Sequence, residues 1–337
     1  MAQPIRLAVA GIGASGRAHA QAAAAGGFKL VGVADPIPDR LATVAGPLNV
    51  PLAADDVEQL ISDPSVDALC ICLPTHLHLP VATAALKAGK HVMIELPPTP
   101  TARDAKALAR AADKAGRVLL YSAVRRFGGA EQSARQAIEK GHVGPVYHAR
   151  LTALRTRGVP QGTGWYHDPQ KTGGGAVVDL ALPLIDLLLY LIAPAVPKTV
   201  FAVAHYKLTG LSVEESASLL IKFDNNASAE ISCAWAMNQP PSQAGTICRL
   251  AGEHGAVDVY TPQGPIVYRA FDAKGQAKAT LLKQPKTVGH PALLRHFRSA
   301  ILGETPPAPG PAEGVALMTL AEAIYKSVAT GRAVEVA

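Results

Sequence analysis

Gly11-Ile12-Gly13-Ala14-Ser15-Gly16 stands between the apolar run Ile5 to Ala10 and the alanine-rich stretch Ser15 to Ala25. A glycine pattern alone says little. Between a strand and a helix it has a specific physical use. The first glycine permits a tight turn, the second lets backbone approach a pyrophosphate, and the third lets helix and strand pack closely. The exposed N–H groups at the helix start then meet the phosphate. Gly11, Ile12, Gly13, Ala14, Ser15 and Gly16 are therefore the expected dinucleotide contacts. Asp35 follows the second strand, Phe28 to Ala34, about 20 residues further on, where a carboxylate accepts from the hydroxyls of an adenine ribose. It also repels a 2′-phosphate, which favours NAD. Arg40 lies close enough in sequence to hold such a phosphate, so NADP stays open.

Strand-like and helix-like segments alternate through the first part of the chain. Strands are expected at Asp67 to Leu73, His91 to Glu95 and Arg117 to Ser122, and helices at Asp39 to Ala45, Asp55 to Ile61, Leu77 to Ala88 and Thr101 to Ala115. Thr101 suits the helix start and Gly116 its end. This alternation, with near-continuous apolar strands, predicts an α/β domain with a parallel sheet covered on both faces. After a helix at Gly128 to Lys140, β-rich segments succeed one another, interrupted by a helix near Leu180 to Leu191. Strands without intervening helices predict an α+β domain with a mostly antiparallel sheet. The expected division is residues 1–123 and 124–337, with a final helix near 312–330 that packs back on the first domain.

The 337 residues exceed what one core usually serves. A hydrophobic share of 49% against 17% charged excludes a disordered chain. The net charge of +6 comes from scattered lysines and arginines, which excludes a nucleic-acid arm but suits an anionic ligand. Cys70, Cys72, Cys233 and Cys248 show no C-x-x-C and no His–Cys spacing suited to zinc. They read as reduced thiols, and no metal is expected. The chain enters its first strand directly after Pro4, with no secretory signal. Ala176 to Val196 carries Asp179, Pro183 and Asp186, so it reads as a buried helix rather than a membrane span. A cytoplasmic protein is expected.

The glycine motif with Arg17 and His19, the run Leu73-Pro74-Thr75-His76-Leu77-His78, the segment Ala88 to Glu95, Gly173-Gly174-Gly175 with Asp179 and Asp186, and Ala321 to Ser327 resemble the Gfo/Idh/MocA oxidoreductases. The resemblance spans nearly the whole chain in the expected order. It implies a Rossmann domain followed by a domain with a large open sheet. It also implies NAD(P), small sugar-like, cyclitol-like or related hydroxy substrates, and association into a homodimer or homotetramer through the open sheets. It further implies cofactor contacts at Leu73, Pro74 and Thr75, at His78 opening the next helix, and at Glu95 near the nicotinamide end.

Two family positions depart from the pattern. Glu95-Leu96-Pro97 stands where the family has Glu-Lys-Pro, and Pro183 stands where the His of Asp-x-x-x-His would follow Asp179. Neither Leu96 nor Pro183 can carry a proton. Three explanations remain: an oxidoreductase with other acid/base residues, a cofactor-binding sensor without turnover, or an enzyme like the NAD-dependent glycosidases. Replacement catalytic candidates are Asp179, Tyr166 and His167, the last an imidazole, the side-chain type suited to neutral proton transfer. In similar proteins the loop Trp165 to Asp168 borders the substrate, which makes Trp165 a substrate contact. Arg126 could hold a carboxylate or phosphate with two hydrogen bonds.

Overall fold

The computed structural model describes residues 4–159 and 164–336. The chain forms two compact units, Met1–Phe127 with Thr287–Met318, and Gly128–Lys286 with Thr319–Ala337.

The first unit holds a six-stranded parallel sheet of β1 (Ile5–Ala10), β2 (Phe28–Ala34), β3 (Leu52–Ala54), β4 (Ala68–Ile71), β5 (His91–Glu95) and β6 (Leu119–Ser122). The helices between them are α1 (Ala14–Ala22), α2 (Pro38–Ala42), α3 (Val57–Ser62), α4 (His78–Lys87) and α5 (Ala102–Ala115). Thr101 caps α5 by accepting from the Asp104 N–H, and Gly116 ends it at φ +59°. Helical crossovers are what allow neighbouring strands to run parallel. The strand order is β3-β2-β1-β4-β5-β6, so the winding reverses between β1 and β4. In open α/β sheets ligands bind outside the carboxyl ends of the strands at such a reversal. Every residue of β4 is fully buried, between one core around Leu60, Leu86 and Leu108 and another around Leu7, Val33 and Met93.

The glycine turn joins β1 to α1. Gly11 sits at φ +85°, and a Cβ there would strike the Cys72 carbonyl. A Cβ on Gly16 would strike the Gly11 carbonyl oxygen. These two glycines serve the packing of helix on strand. Gly13 has no atom within 4 Å of its Cβ position, and it leads α1 with no side-chain cap. The turn is closed underneath and open above.

The second unit contains α6 (Gly129–Glu139), β7 (Val146–Leu154), α7 (Pro169–Thr172), α8 (Leu182–Ile192), β8 (Pro197–His205), β9 (Ser216–Phe223), β10 (Ser228–Ala234), β11 (Gly245–Gly252), β12 (Gly255–Asp258), β13 (Ile266–Arg269), β14 (Lys278–Leu281) and β15 (Val334–Glu335). One nine-stranded sheet results, ordered β14-β13-β12-β11-β7-β10-β9-β8-β15. It is antiparallel except for β7 and β10, which pair in parallel at its centre. The sequence predicted antiparallel neighbours, but the long connection through α7, α8, β8 and β9 returns the chain in the parallel sense. Helix α8 buries Leu184, Ile185, Leu187, Leu188 and Leu191, and β7 and β10 bury Leu151, Ala229 and Ile231. The stretch Pro169–Ile192 is long and apolar enough by composition to cross a membrane, and most of it is buried inside the protein. Strand register places Phe201 opposite Leu220 and Ile247 opposite Thr152. Phe201, Val203, Leu220 and Ile247 are all exposed.

Two helices follow, α9 (His290–Ile301) and α10 (Pro311–Thr330). The sequence reading anticipated α10 but not α9. Leu293, Leu294 and Phe297 of α9 enter the first unit's core, where Phe297 stacks on Phe28 at 5.8 Å. That packing carries Thr287–Met318 into the first unit, a division that differs from the single expected boundary after residue 123. The segment before α10 also joins the first unit, because the Pro309 carbonyl accepts from the Tyr121 N–H at 2.9 Å.

His91 shows how the sheet edge is held. Its Nδ1 accepts the Val118 N–H at 3.1 Å. Burial, aided by the Arg117 charge, pushes its pKa down to about 4 from 6.5. The unfolded imidazole protonates first as pH falls, so this stabilisation is present above pH 6.5 and is lost as pH drops towards 4. Urea unfolding should show His91→Gln losing less stability than the unmodified protein across that window. A second prediction separates the glycines. Gly16→Ala should cost roughly 1–3 kcal/mol by overpacking, whereas Gly13→Ala should leave the urea midpoint nearly unchanged.

Candidate active site

Asp35 continues from β2 and is 3% exposed. Its Oδ2 accepts the Ile12 N–H at 2.8 Å and its Oδ1 accepts the Ile37 N–H at 2.9 Å. The Gly11 N–H donates to Ala34 O at 2.7 Å. The carboxylate thus fixes the glycine turn from beneath. It also takes the N–H of Ile12, one of the expected dinucleotide contacts. The amides left at the helix start belong to Ala14, Ser15 and Gly16, whose first-turn N–H groups have no partner within the helix. Arg40 Nη1 stands 3.7 Å from Asp35 Oδ2 and is nearly half exposed. An open turn, an uncapped helix start and a buried acid at the β2 end fit a dinucleotide.

Beyond β4, Leu73 and Pro74 lead into a 3₁₀ turn, Thr75–Leu77, with Thr75 buried. His78 begins α4 and is 1% exposed. Its Nε2 lies 2.8 Å from Leu73 O, and its Nδ1 lies 3.1 Å from Pro97 O and 3.2 Å from Pro98 O. Burial pushes its pKa down, although carbonyls at both nitrogens favour a ring with two protons. His78 ties the turn after β4 to the turn after β5, so backbone, not solvent, surrounds it.

Glu95 ends β5. Its Oε1 lies 2.6 Å from His19 Nε2 and accepts from Ser122 Oγ at 2.9 Å. Burial works to raise its pKa, but the His19 and Ser122 hydrogen bonds outweigh it and hold the carboxyl below its usual value. Burial also opposes charge on His19, yet Cys70 and Glu95 raise its pKa to about 10. His19 is fully buried, and His290 packs edge-on against it at 4.7 Å. The sequence showed His19 only as part of a motif. Its partnership with Glu95 joins α1 to β5, a pairing that no local spacing reveals. Leu96 packs on the core beside β5. Arg126 is buried and its Nη1 donates to Glu313 Oε1 at 2.9 Å, an ion pair within the first unit.

In the second unit, Asp179 lies in a π-type turn, Val177–Ala181, that runs into α8. Its Oδ2 accepts from Trp235 Nε1 at 2.7 Å and faces Arg155 Nη1 at 3.5 Å. Both contacts fall on Oδ2, and the side chain is one-third exposed. Trp165 and Tyr166 stack at 3.9 Å in a 3₁₀ turn, Gly164–His167. Trp165 is half-buried, and the His167 carbonyl accepts from Ser212 Oγ. Pro183 occupies the first turn of α8. Sequence reasoning missed Glu214, which is 1% exposed. Its carboxylate accepts from the N–H groups of Gly175 and Val177 and from the Tyr325 hydroxyl at 2.9 Å. Burial raises its pKa. A Cβ on Gly174 would collide with the Tyr325 ring, so the glycine run is shaped by Glu214 and Tyr325. An acidic pair opening an apolar strand, Glu214-Glu215, was the available signal.

The first unit is a NAD-binding Rossmann domain of an oxidoreductase. Residues 5–123 match the model described as "Oxidoreductase family, NAD-binding Rossmann fold", and residues 132–258 match the "GFO/IDH/MocA C-terminal domain". The chain belongs to the Gfo/Idh/MocA family. It is 25% identical to D-glucoside 3-dehydrogenase of Escherichia coli (strain K12), with 98% of this chain and 97% of that protein covered. It is 28% identical to 1,5-anhydro-D-fructose reductase of Ensifer adhaerens, with 92% of each covered. A solved structure of levoglucosan dehydrogenase in complex with NADH shares the fold at a TM-score of 0.86, with 22% identity over 99% of this chain and 100% of that one.

Asp35→Ala should test the cofactor end. It strands the buried Ile12 N–H, at a cost of about 1–3 kcal/mol in stability. By calorimetry it should also weaken NAD by at least about tenfold, or ~1.4 kcal/mol, and narrow the gap between NAD and NADP.

Proposed function

We propose that this chain is an NAD-dependent oxidoreductase acting on a sugar-like, cyclitol-like or related hydroxy or carbonyl compound. The observation that carries the reading is the open glycine turn, uncapped at α1 and held by Asp35. Support for the substrate class comes from relatives named for glucoside oxidation and anhydrofructose reduction. NAD, when bound, supplies the hydride acceptor. Asp35 would hold its adenosine end, and the turn Leu73–Thr75 and Glu95 would stand at its other end. Glu95 is kept ionised there by His19 and Ser122.

Proton transfer then falls to residues other than Leu96 and Pro183. Asp179 is the first candidate, since Trp235 and Arg155 fix one of its oxygens. Tyr166 and His167 are the others, and Trp165 lines the substrate. Arg126 reaches this role only if its pair with Glu313 opens. General acid–base help is worth about 10²–10⁴-fold. Positioning donor and acceptor supplies about 7–11 kcal/mol, so the reaction survives loss of the usual groups. The test is a panel of polyols, aldoses and dihydrodiols with NAD, followed at the NADH absorbance. Turnover should appear, and Asp179→Asn should lower it by about 10²-fold or more with NAD affinity nearly unchanged. Leu96 and Pro183 favour a second reading, a cofactor-binding sensor. Tight NAD binding with silence across the panel would favour that reading instead.

The same reading makes the protein a cytoplasmic homodimer or homotetramer. The face carrying Phe201, Val203, Leu220 and Ile247 is where copies would join, because exposed apolar sheet demands cover. Sedimentation should show a species larger than the 34.9 kDa chain, and Leu220→Asp should shift it towards monomer.

A further inference from the structure

His19, Cys70 and Cys72 meet beneath the glycine turn. One ligand atom from each lies within 4.8 Å of the others. The two sulfurs are 3.7 Å apart. Cys70 and His19 are fully buried, and Cys72 is partly exposed. His19 Nε2 is committed to Glu95 and Ser122. Its Nδ1 is buried with no hydrogen-bond partner, and would be the nitrogen to join the two sulfurs on a metal.

We propose that these three side chains form a binding site for a thiophilic divalent cation of the zinc type. Tetrahedral zinc with Zn–S bonds of about 2.3 Å separates two sulfurs by roughly 3.8 Å, close to the distance present. The donor set of two thiolates and one imidazole suits zinc among the divalent ions. Two thiolates neutralise the ion, which removes the penalty for burying charge. Glu95 on the far nitrogen of His19 completes the carboxylate–histidine–metal arrangement that orients ligating imidazoles. On binding, the thiol protons and any proton on Nδ1 pass to buffer. The spacing rule that excluded zinc from sequence looks only at neighbouring residues. Here the third ligand arrives from α1, which the fold lays across the end of β4.

The competing account is a thiol–thiol hydrogen bond between Cys70 and Cys72 with no affinity for metal. Titrating the reduced full-length protein with Co²⁺ separates the two. The site should produce one saturable sulfur-to-cobalt charge-transfer band per chain, bleached by added Zn²⁺. Cys70→Ser and Cys72→Ser should each weaken Co²⁺ binding by at least about 100-fold, while the double variant Cys233→Ser/Cys248→Ser keeps the band. Glu95→Gln should weaken it by about 10–100-fold without removing it. Circular dichroism and thermal melts of each variant report folding, and Cys72→Ser, at the exposed edge, guards against a Cys70→Ser chain that fails to fold. No charge-transfer band in the folded unmodified protein would overturn the proposal. So would a band that survives in folded Cys72→Ser.

Discussion

Helix α1 comes so close to the end of β1 that only hydrogen fits on Gly16 against the Gly11 carbonyl. Much of the first unit's edge follows from that approach. It aims the first-turn amides of α1 along the switch between β1 and β4. It sets the Ile12 N–H on Asp35. It also carries His19, one turn further along the helix, into the sheet, where it reaches Glu95 on β5 and Ser122 on β6. A side chain at Gly16 would open all three contacts together.

The electrostatics of that edge are built from buried pairs. Glu95 and His19 each face a burial penalty; Cys70 and Glu95 hold His19 charged, and His19 and Ser122 hold Glu95 ionised. Breaking such a pair from one side strands a buried charge and is costly. His290 lies against the ring and is kept neutral by its own burial and by the His19 charge. The second unit uses a buried carboxylate differently. Glu214 takes backbone amides of the glycine run and the Tyr325 hydroxyl, so its negative charge is spread over donors rather than paired with a cation.

What could be read from sequence was what local patterns encode. Phe28 to Ala34 and His91 to Glu95 were placed at their observed bounds, as were the Thr101 cap and the Gly116 terminator. Each is an apolar run or helix flanked by its own punctuation. Short strands such as β3 and β15 lack the length to show a period. Helix α9 has an apolar stripe of Leu293, Leu294, Phe297 and Ala300, but His290-Pro291 at its start reads as a turn. In the site, the glycine turn and Asp35 were visible because a strand, a turn and an acid follow in order. The use of the Ile12 N–H by Asp35, the His19–Glu95 pair, the His78 clamp and the Glu214–Tyr325 contact all join residues distant in sequence. Only the folded chain brings them together.

The account rests on a glycine turn shaped for a dinucleotide and on the proposal that Asp35 selects its ribose. Titration calorimetry of the unmodified protein with NAD and with NADP addresses both at once. NAD should bind at a single site per chain, and NADP should bind at least about tenfold more weakly, a difference of ~1.4 kcal/mol. Absence of NAD binding by the folded protein, or NADP binding as tight as NAD, would contradict it.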